Sequence, residues 1–225
     1  MSVQNLPEGF NYSGKYGAVF QNSIFFDDME DKFKKDYILN KIVKLRIWSG
    51  QKNGCNIVYG IQVSYKNIST GEIISTNEYK GAGFEKVEDF EISGNEYLNK
   101  FNVRFDKEIT QVGFETSKGK KILVGSEKGD ANPVKLNNGN NIIISLYGNY
   151  NECLESIGVG YVDRNWYVRK MCFGYFELRY LLKKDEKFKK QWIEKMDSLD
   201  NFQKAMIKTC TLPDSAFSVI AKFFL

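Results

Sequence analysis

Histidine is absent from this chain of 225 residues. Its absence removes Ser-His-Asp and Cys-His nucleophilic catalysis, His-ligated zinc and the one side chain that ordinarily titrates near neutrality. Long apolar runs are also missing. No stretch reaches the roughly eighteen residues a membrane-spanning helix needs, so no spanning segment is expected. The opening "MSVQNLPEGFNYSG" has neither a basic leader nor an apolar core, so no secretory signal is expected there. The four cysteines, Cys55, Cys153, Cys172 and Cys210, form no CxxC pair. That pattern suits reduced, packed thiols and an intracellular, cytoplasmic protein. Phosphate-cradling loops fail as well: "GFETSKGKK" and "GSEKGD" miss the GxxxxGK[ST] spacing, and no GxGxxG occurs. Carboxylate pairs do occur in "FFDD" and "EKVEDFE", but nothing singles out an acid and its partner, and solvated or turn-capping carboxylates are the expected reading. No catalytic residues, cofactor or metal are expected.

What is present is a chain able to build a core, with 42% hydrophobic and 15% aromatic residues. Charge divides it. Residues 1–165 are almost neutral, whereas residues 166–225 hold 12 Lys and Arg against 7 Asp and Glu. The body therefore lacks the electrostatic footprint of a nucleic-acid binder, and the tail favours acidic partners. Periodicity divides the chain at the same place. "KIVKLRIWSG" alternates, with Val43, Leu45 and Ile47 on one face and Lys44, Arg46 and Trp48 on the other. "NIVYGIQVSY", "KFNVRFD", "TQVGFET" and "NIIISLYG" repeat the two-residue period, separated by the turn signals "SGQKNG", "NISTGE", "SGNE", "SKGKK" and "NNGNN". With only three prolines, Pro7, Pro133 and Pro213, the expected class is mainly β: an antiparallel barrel, sandwich or prism.

Beyond residue 165 the spacing turns helical. Phe188, Trp192, Met196 and Leu199 form one stripe, with Asp185 as N-cap, and Phe217, Ile220, Ala221 and Phe224 form another. The expected organisation is a β domain over 1–165 and a basic, aromatic-rich α-helical extension over 166–225, with helices confined mainly to the region after residue 172. The two stripes, read through Phe188, Trp192, Met196, Phe217, Ile220 and Phe224, are candidate docking surfaces for other protein subunits.

Four pieces of the body, in order, resemble the jacalin-related lectins. They are "SGKYGAVFQNSIFFDD", "NKIVKLRIWSG…NIVYGIQVSY", "ITQVGFETSKGKK" and the closing "GNYNECLESIGVGY". The resemblance covers residues 13–163 and implies a β-prism of three four-stranded Greek-key sheets about a pseudo-threefold axis. It also implies a sugar site at one end of the prism, where a closing-loop Gly-x-x-x-Asp faces a glycine-rich opening loop. Carried onto this sequence, the glycine position is Asn151 and the aspartate position is Glu155, with Glu152, Cys153 and Leu154 between; the opening loop keeps Gly14 and Gly17. A carboxylate there can accept from two sugar hydroxyls in charge-assisted bonds. The extra methylene of Glu155 moves that carboxylate by about 1.5 Å. Two readings of Glu155 follow: a ligand for sugar hydroxyls, or a strand-entry residue bonded to nearby loop amides. Two functions follow in turn. One is a non-catalytic intracellular adaptor, docked through its tail into a cytoskeletal or organellar assembly and binding free mannose or galactose no better than weakly. The other is a carbohydrate-binding lectin of altered specificity, with glycans as partners.

Overall fold

A computed structural model describes residues 9–30, 40–67, 70–94, 96–134, 136 and 140–167. The chain divides into two units. One comprises Met1–Asn67 and Ile73–Asp163, the other Ile68–Glu72 and Arg164–Leu225. The described part of the second unit includes one helical turn, residues 164–167, which begins ahead of the expected start of helix after residue 172. The expected tail helices, with Phe188, Trp192, Met196, Phe217, Ile220 and Phe224, lie outside the described residues.

The first unit is a β-prism of three antiparallel sheets, and each is built on a long central hairpin. In the first, β4 (Asn40–Lys52) pairs with β5 (Cys55–Asn67) across the two-residue turn Asn53–Gly54. Strands β6 (Ile73–Ser75) and β8 (Lys86–Glu91) flank the hairpin in the order β6-β5-β4-β8, and the short β7 (Tyr79–Lys80) also pairs with β5. The second sheet repeats the plan. Its order is β11-β10-β9-β12, from β9 (Leu98–Phe105), β10 (Ile109–Thr116), β11 (Lys121–Gly125) and β12 (Asp130–Pro133). In both, the fourth strand returns to lie beside the first, which is the Greek-key order. The third sheet reaches the same order with strands from opposite parts of the chain. The hairpin β13 (Asn141–Tyr150) and β14 (Leu154–Asp163) is flanked by β3 (Ile24–Asp27) on one side and β1 (Phe10–Tyr12) on the other. Strand β2 (Tyr16–Gly17) also pairs with β14.

The core follows the alternation of the strands. Leu45, Ile47, Ile61, Val63, Ile109, Val112, Leu146, Ile157 and Val159 are completely buried. Removing such a side chain from water contributes about 1.5–3 kcal/mol, and these strands place one at nearly every second position. The residues expected on one face of β5, Ile57, Tyr59, Ile61, Val63 and Tyr65, are all buried, although the bulge at Tyr59 turns Ile57 to the side of Trp48. The expected faces of β4 need correcting at its start. Register shifts lie between Ile42 and Lys44 and between Trp48 and Ser49. The first inserts Val43 in β4 and the second inserts Tyr59 in β5, and each reverses the phase of its own strand beyond it. Ile42 therefore takes the buried place expected for Val43, whereas Trp48 keeps the face expected for it, opposite Ile47, and is buried there with Ile57, Tyr59 and Cys153. The stretch "SGQKNG" also proves mostly strand, with only its last two residues in the turn.

The "FFDD" carboxylates are a second correction. Asp27 and Asp28 are neither solvated nor simple caps but buried acceptors. Tyr12 donates its hydroxyl to Asp27 Oδ2 at 2.6 Å, and the Met29 N–H donates to Oδ1 at 2.9 Å. Asp28 accepts from the Tyr65 hydroxyl at 2.5 Å, the Tyr79 hydroxyl at 3.0 Å and the Leu146 N–H at 3.3 Å. It thereby fastens the β5 sheet to the β13 sheet. Burial pushes the Asp28 carboxyl up to about 7 in spite of those three donors.

Candidate functional site

Three central hairpins imply three hairpin tips, and these meet at one end of the prism. Lys52 comes from the tip of β4–β5, Glu108 from the β9–β10 connection, and Asn151, Glu152 and Cys153 from the β13–β14 connection. Together with Phe20 from the opening segment and Glu155 from the start of β14, they line an open cleft of ≈ 280 Å³. Of the residues expected at the site, the cleft gathers Asn151, Cys153 and Glu155. Leu154 is fully buried beneath it, and Gly14 lies exposed outside its lining.

The closing connection is short because Tyr150 pairs with Leu154, leaving three residues to turn the chain. The Asn151 N–H donates to the Cys153 carbonyl at 3.0 Å and tightens the turn. Two glycines from elsewhere clamp this loop. Gly17 stands at φ 105°, and a Cβ there would run into the Glu155 carbonyl oxygen. The opening strand β2 therefore approaches β14 backbone to backbone, as only glycine permits. Gly81 does the same from the other side: its N–H donates to Tyr59 O at 3.2 Å, and a Cβ would fall on the Glu152 carbonyl. Gly17 was legible from the opening motif. Gly81 carries no signal in the sequence, because what defines it is a neighbour seventy residues downstream.

Glu155 is 4% exposed. Among the described residues its one hydrogen-bond donor is the Ser23 hydroxyl, which bonds Oε2. The strand-entry reading, with loop amides as donors, therefore meets a different partner: a hydroxyl from the opening segment. No bond reaches the other oxygen, Oε1, from the described residues, and the carboxylate lines the cleft. Lys52 stands opposite, 3.0 Å from Glu108 and 3.5 Å from Glu152. Burial acts to lower the Lys52 ammonium, but the hydrogen bond to Glu108 and the surrounding negative groups outweigh it and hold it above its usual range. Cys153 points inward and packs with Trp48, Ile57 and Tyr59. Burial pushes its thiol up to about 11, with Lys52 opposing. It is thus a protonated packing residue and not a nucleophile. Above this floor Lys80 lies 4.8 Å from the Trp48 ring and 4.5 Å from that of Phe84.

The cleft thus brings one underused carboxylate, amide and carboxylate groups and an exposed aromatic ring together at the loop ends of a rigid β scaffold. The sequence matches the Jacalin-like lectin domain over residues 21–160, and the chain belongs to that family. Among solved structures it is similar to the Calystegia sepium agglutinin, with 20% identity, a TM-score of 0.55, and coverage of 70% of this chain and 99% of that one. A mannose-binding jacalin-related lectin from Ananas comosus is similar at 16% identity, with a TM-score of 0.52 and coverage of 69% and 99%. Artocarpin, solved as a mannotriose complex, is similar at 17% identity, with a TM-score of 0.53 and coverage of 69% and 99%. Curated proteins gave no significant match.

Proposed function

We propose that this protein is a non-catalytic carbohydrate-binding lectin that holds a saccharide in the cleft at the hairpin tips. The observation that carries the reading is Glu155: a buried carboxylate at the motif position that lines the cleft, with one oxygen bonded by Ser23 and no donor to the other among the described residues. A satisfied structural carboxylate would be closed off by donors, whereas a sugar-binding one must keep acceptor capacity for hydroxyls. The family match and the titles of related structures, which include an N-glycan complex and a mannotriose complex, support the same ligand class. The adaptor reading rests on the stripes beyond residue 167, and nothing among the described residues speaks for it. Screening the full chain on an array of mannose-, galactose- and glucosamine-containing glycans, followed by calorimetric titration of the best ligand, tests the proposal. Saturable binding that weakens at least about tenfold in Glu155→Ala is expected, the worth of a charge-assisted bond. Absence of any saccharide binding by the folded protein would overturn it.

A further inference from the structure

The charge of the cleft is lopsided, and this bears on which saccharide it takes. Among the described residues, three carboxylates, Glu108, Glu152 and Glu155, face one ammonium, Lys52. Lys52 is already committed to two of them, at 3.0 Å from Glu108 and 3.5 Å from Glu152. Glu155 is left with the Ser23 hydroxyl as its only described donor, at 4% exposure and with no cation within salt-bridge distance among the described residues. A neutral hydroxyl can occupy the free oxygen, but it does not neutralise a carboxylate that has been withdrawn from water. An ammonium group does both. At the mouth stands Phe20, 47% exposed, whose ring offers an apolar wall to a pyranose and a negative face to a cation. The replacement of a glycine by Asn151 at the motif position adds a side-chain carbonyl, a further acceptor suited to N–H donors.

We propose that the cleft selects saccharides bearing a free, protonated amino group, such as a glucosamine unit, over neutral, N-acetylated or acidic sugars. The proposal rests on the carbohydrate-binding reading and specifies its ligand. Acidic sugars meet uncompensated like charge, and N-acetylation removes the charge while enlarging the group that must reach Glu155.

The test is calorimetric titration of the full chain with a trisaccharide of glucosamine, its N-acetylated counterpart, mannotriose and a uronic-acid oligosaccharide. The amino trisaccharide is expected to bind at least about tenfold more tightly than the N-acetylated one, the difference between a charged and a neutral hydrogen-bond partner. The uronic-acid ligand is expected to give no signal. Glu155→Gln keeps the size of the side chain and the acceptor for Ser23 but removes the charge. In that variant, checked for an unchanged melting transition, the two trisaccharides should bind alike. Equal or tighter binding of a neutral ligand by the unmodified protein overturns charge selection while leaving carbohydrate binding intact. A preference that survives in Glu155→Gln overturns the role of Glu155. Failure to bind any saccharide overturns this proposal and the reading beneath it together.

Discussion

Asp28 and Glu155 are both buried carboxylates in one prism, provided for in opposite ways. Asp28, fully buried, is closed off by two tyrosine hydroxyls and a backbone N–H from the two sheets it joins. Glu155 has, among the described residues, a single hydroxyl donor, and it lines a cleft. A carboxylate wrapped in donors is fully engaged in holding sheets together, while one with spare acceptor capacity at an opening is available to a ligand. Burial alone does not separate the two roles; the count and origin of the donors do.

The widest gap between them should appear on truncation. Asp28→Ala leaves three buried donors without an acceptor and is expected to destabilise the fold by about 4 kcal/mol, read from denaturant unfolding. The same carboxyl gives the comparison a pH signature. Its native value of about 7 lies above the ordinary 3.8, so between those values the folded state binds more protons than the unfolded chain. Stability from this group is therefore fully present below pH 3.8 and declines as pH rises to about 7. Unfolding curves across that window should show the decline in the unmodified protein and a flatter profile in Asp28→Asn. A decline of the same size in Asp28→Asn would break the assignment.

Next in size is Gly81→Ala. The added methyl meets the Glu152 carbonyl and must push the closing loop outward, at a cost of about 2–3 kcal/mol typical of overpacking. Saccharide binding should fall with it, because the loop carries the cleft wall; a stable variant with unaltered binding would show that the clamp is dispensable. Among the described residues Glu155→Ala strands the Ser23 hydroxyl alone, so a loss of about 1 kcal/mol in stability is expected beside a much larger loss in binding. Should its stability loss approach that of Asp28→Ala, the contrast between the two carboxylates fails. The smallest effect belongs to the exposed pair of Arg46 with Asp89, held at 2.8 and 3.0 Å. Arg46→Ala should leave thermal and chemical unfolding almost unchanged, as loss of an exposed ion pair does.

The fold was legible in the sequence to the extent that it depends on period and turns. The alternation in β5, β9 and β13 and the closing motif are local patterns, and they located the strands and Glu155. The bulges were not legible, because nothing in "KIVKLRIWSG" or "NIVYGIQVSY" marks where an extra residue enters; so Val43 and Ile57 were assigned to the wrong faces. The site was readable only where one segment supplies it. Asn151, Cys153 and Glu155 come from the motif, whereas Lys52, Glu108, Phe20 and Gly81 reach the cleft through pairings between distant strands. "FFDD" shows the limit from the other side. Two adjacent aspartates look solvated until the tyrosines that claim them, Tyr12, Tyr65 and Tyr79, are placed by the topology.

The third sheet has a consequence for the order in which the protein is made. Its flanking strands β1 and β3 lie within the first twenty-seven residues, while the hairpin they pair with, β13–β14, spans residues 141–163. On the ribosome, those early strands emerge well before their partners, and closing so long a loop is slow. The other two sheets draw all their strands from consecutive stretches of chain and can assemble while translation continues. The side chains of Phe10 on β1 and Phe26 on β3, both buried in the finished fold, would then be the longest-waiting apolar surface of the nascent chain and the place where a chaperone has the most time to act.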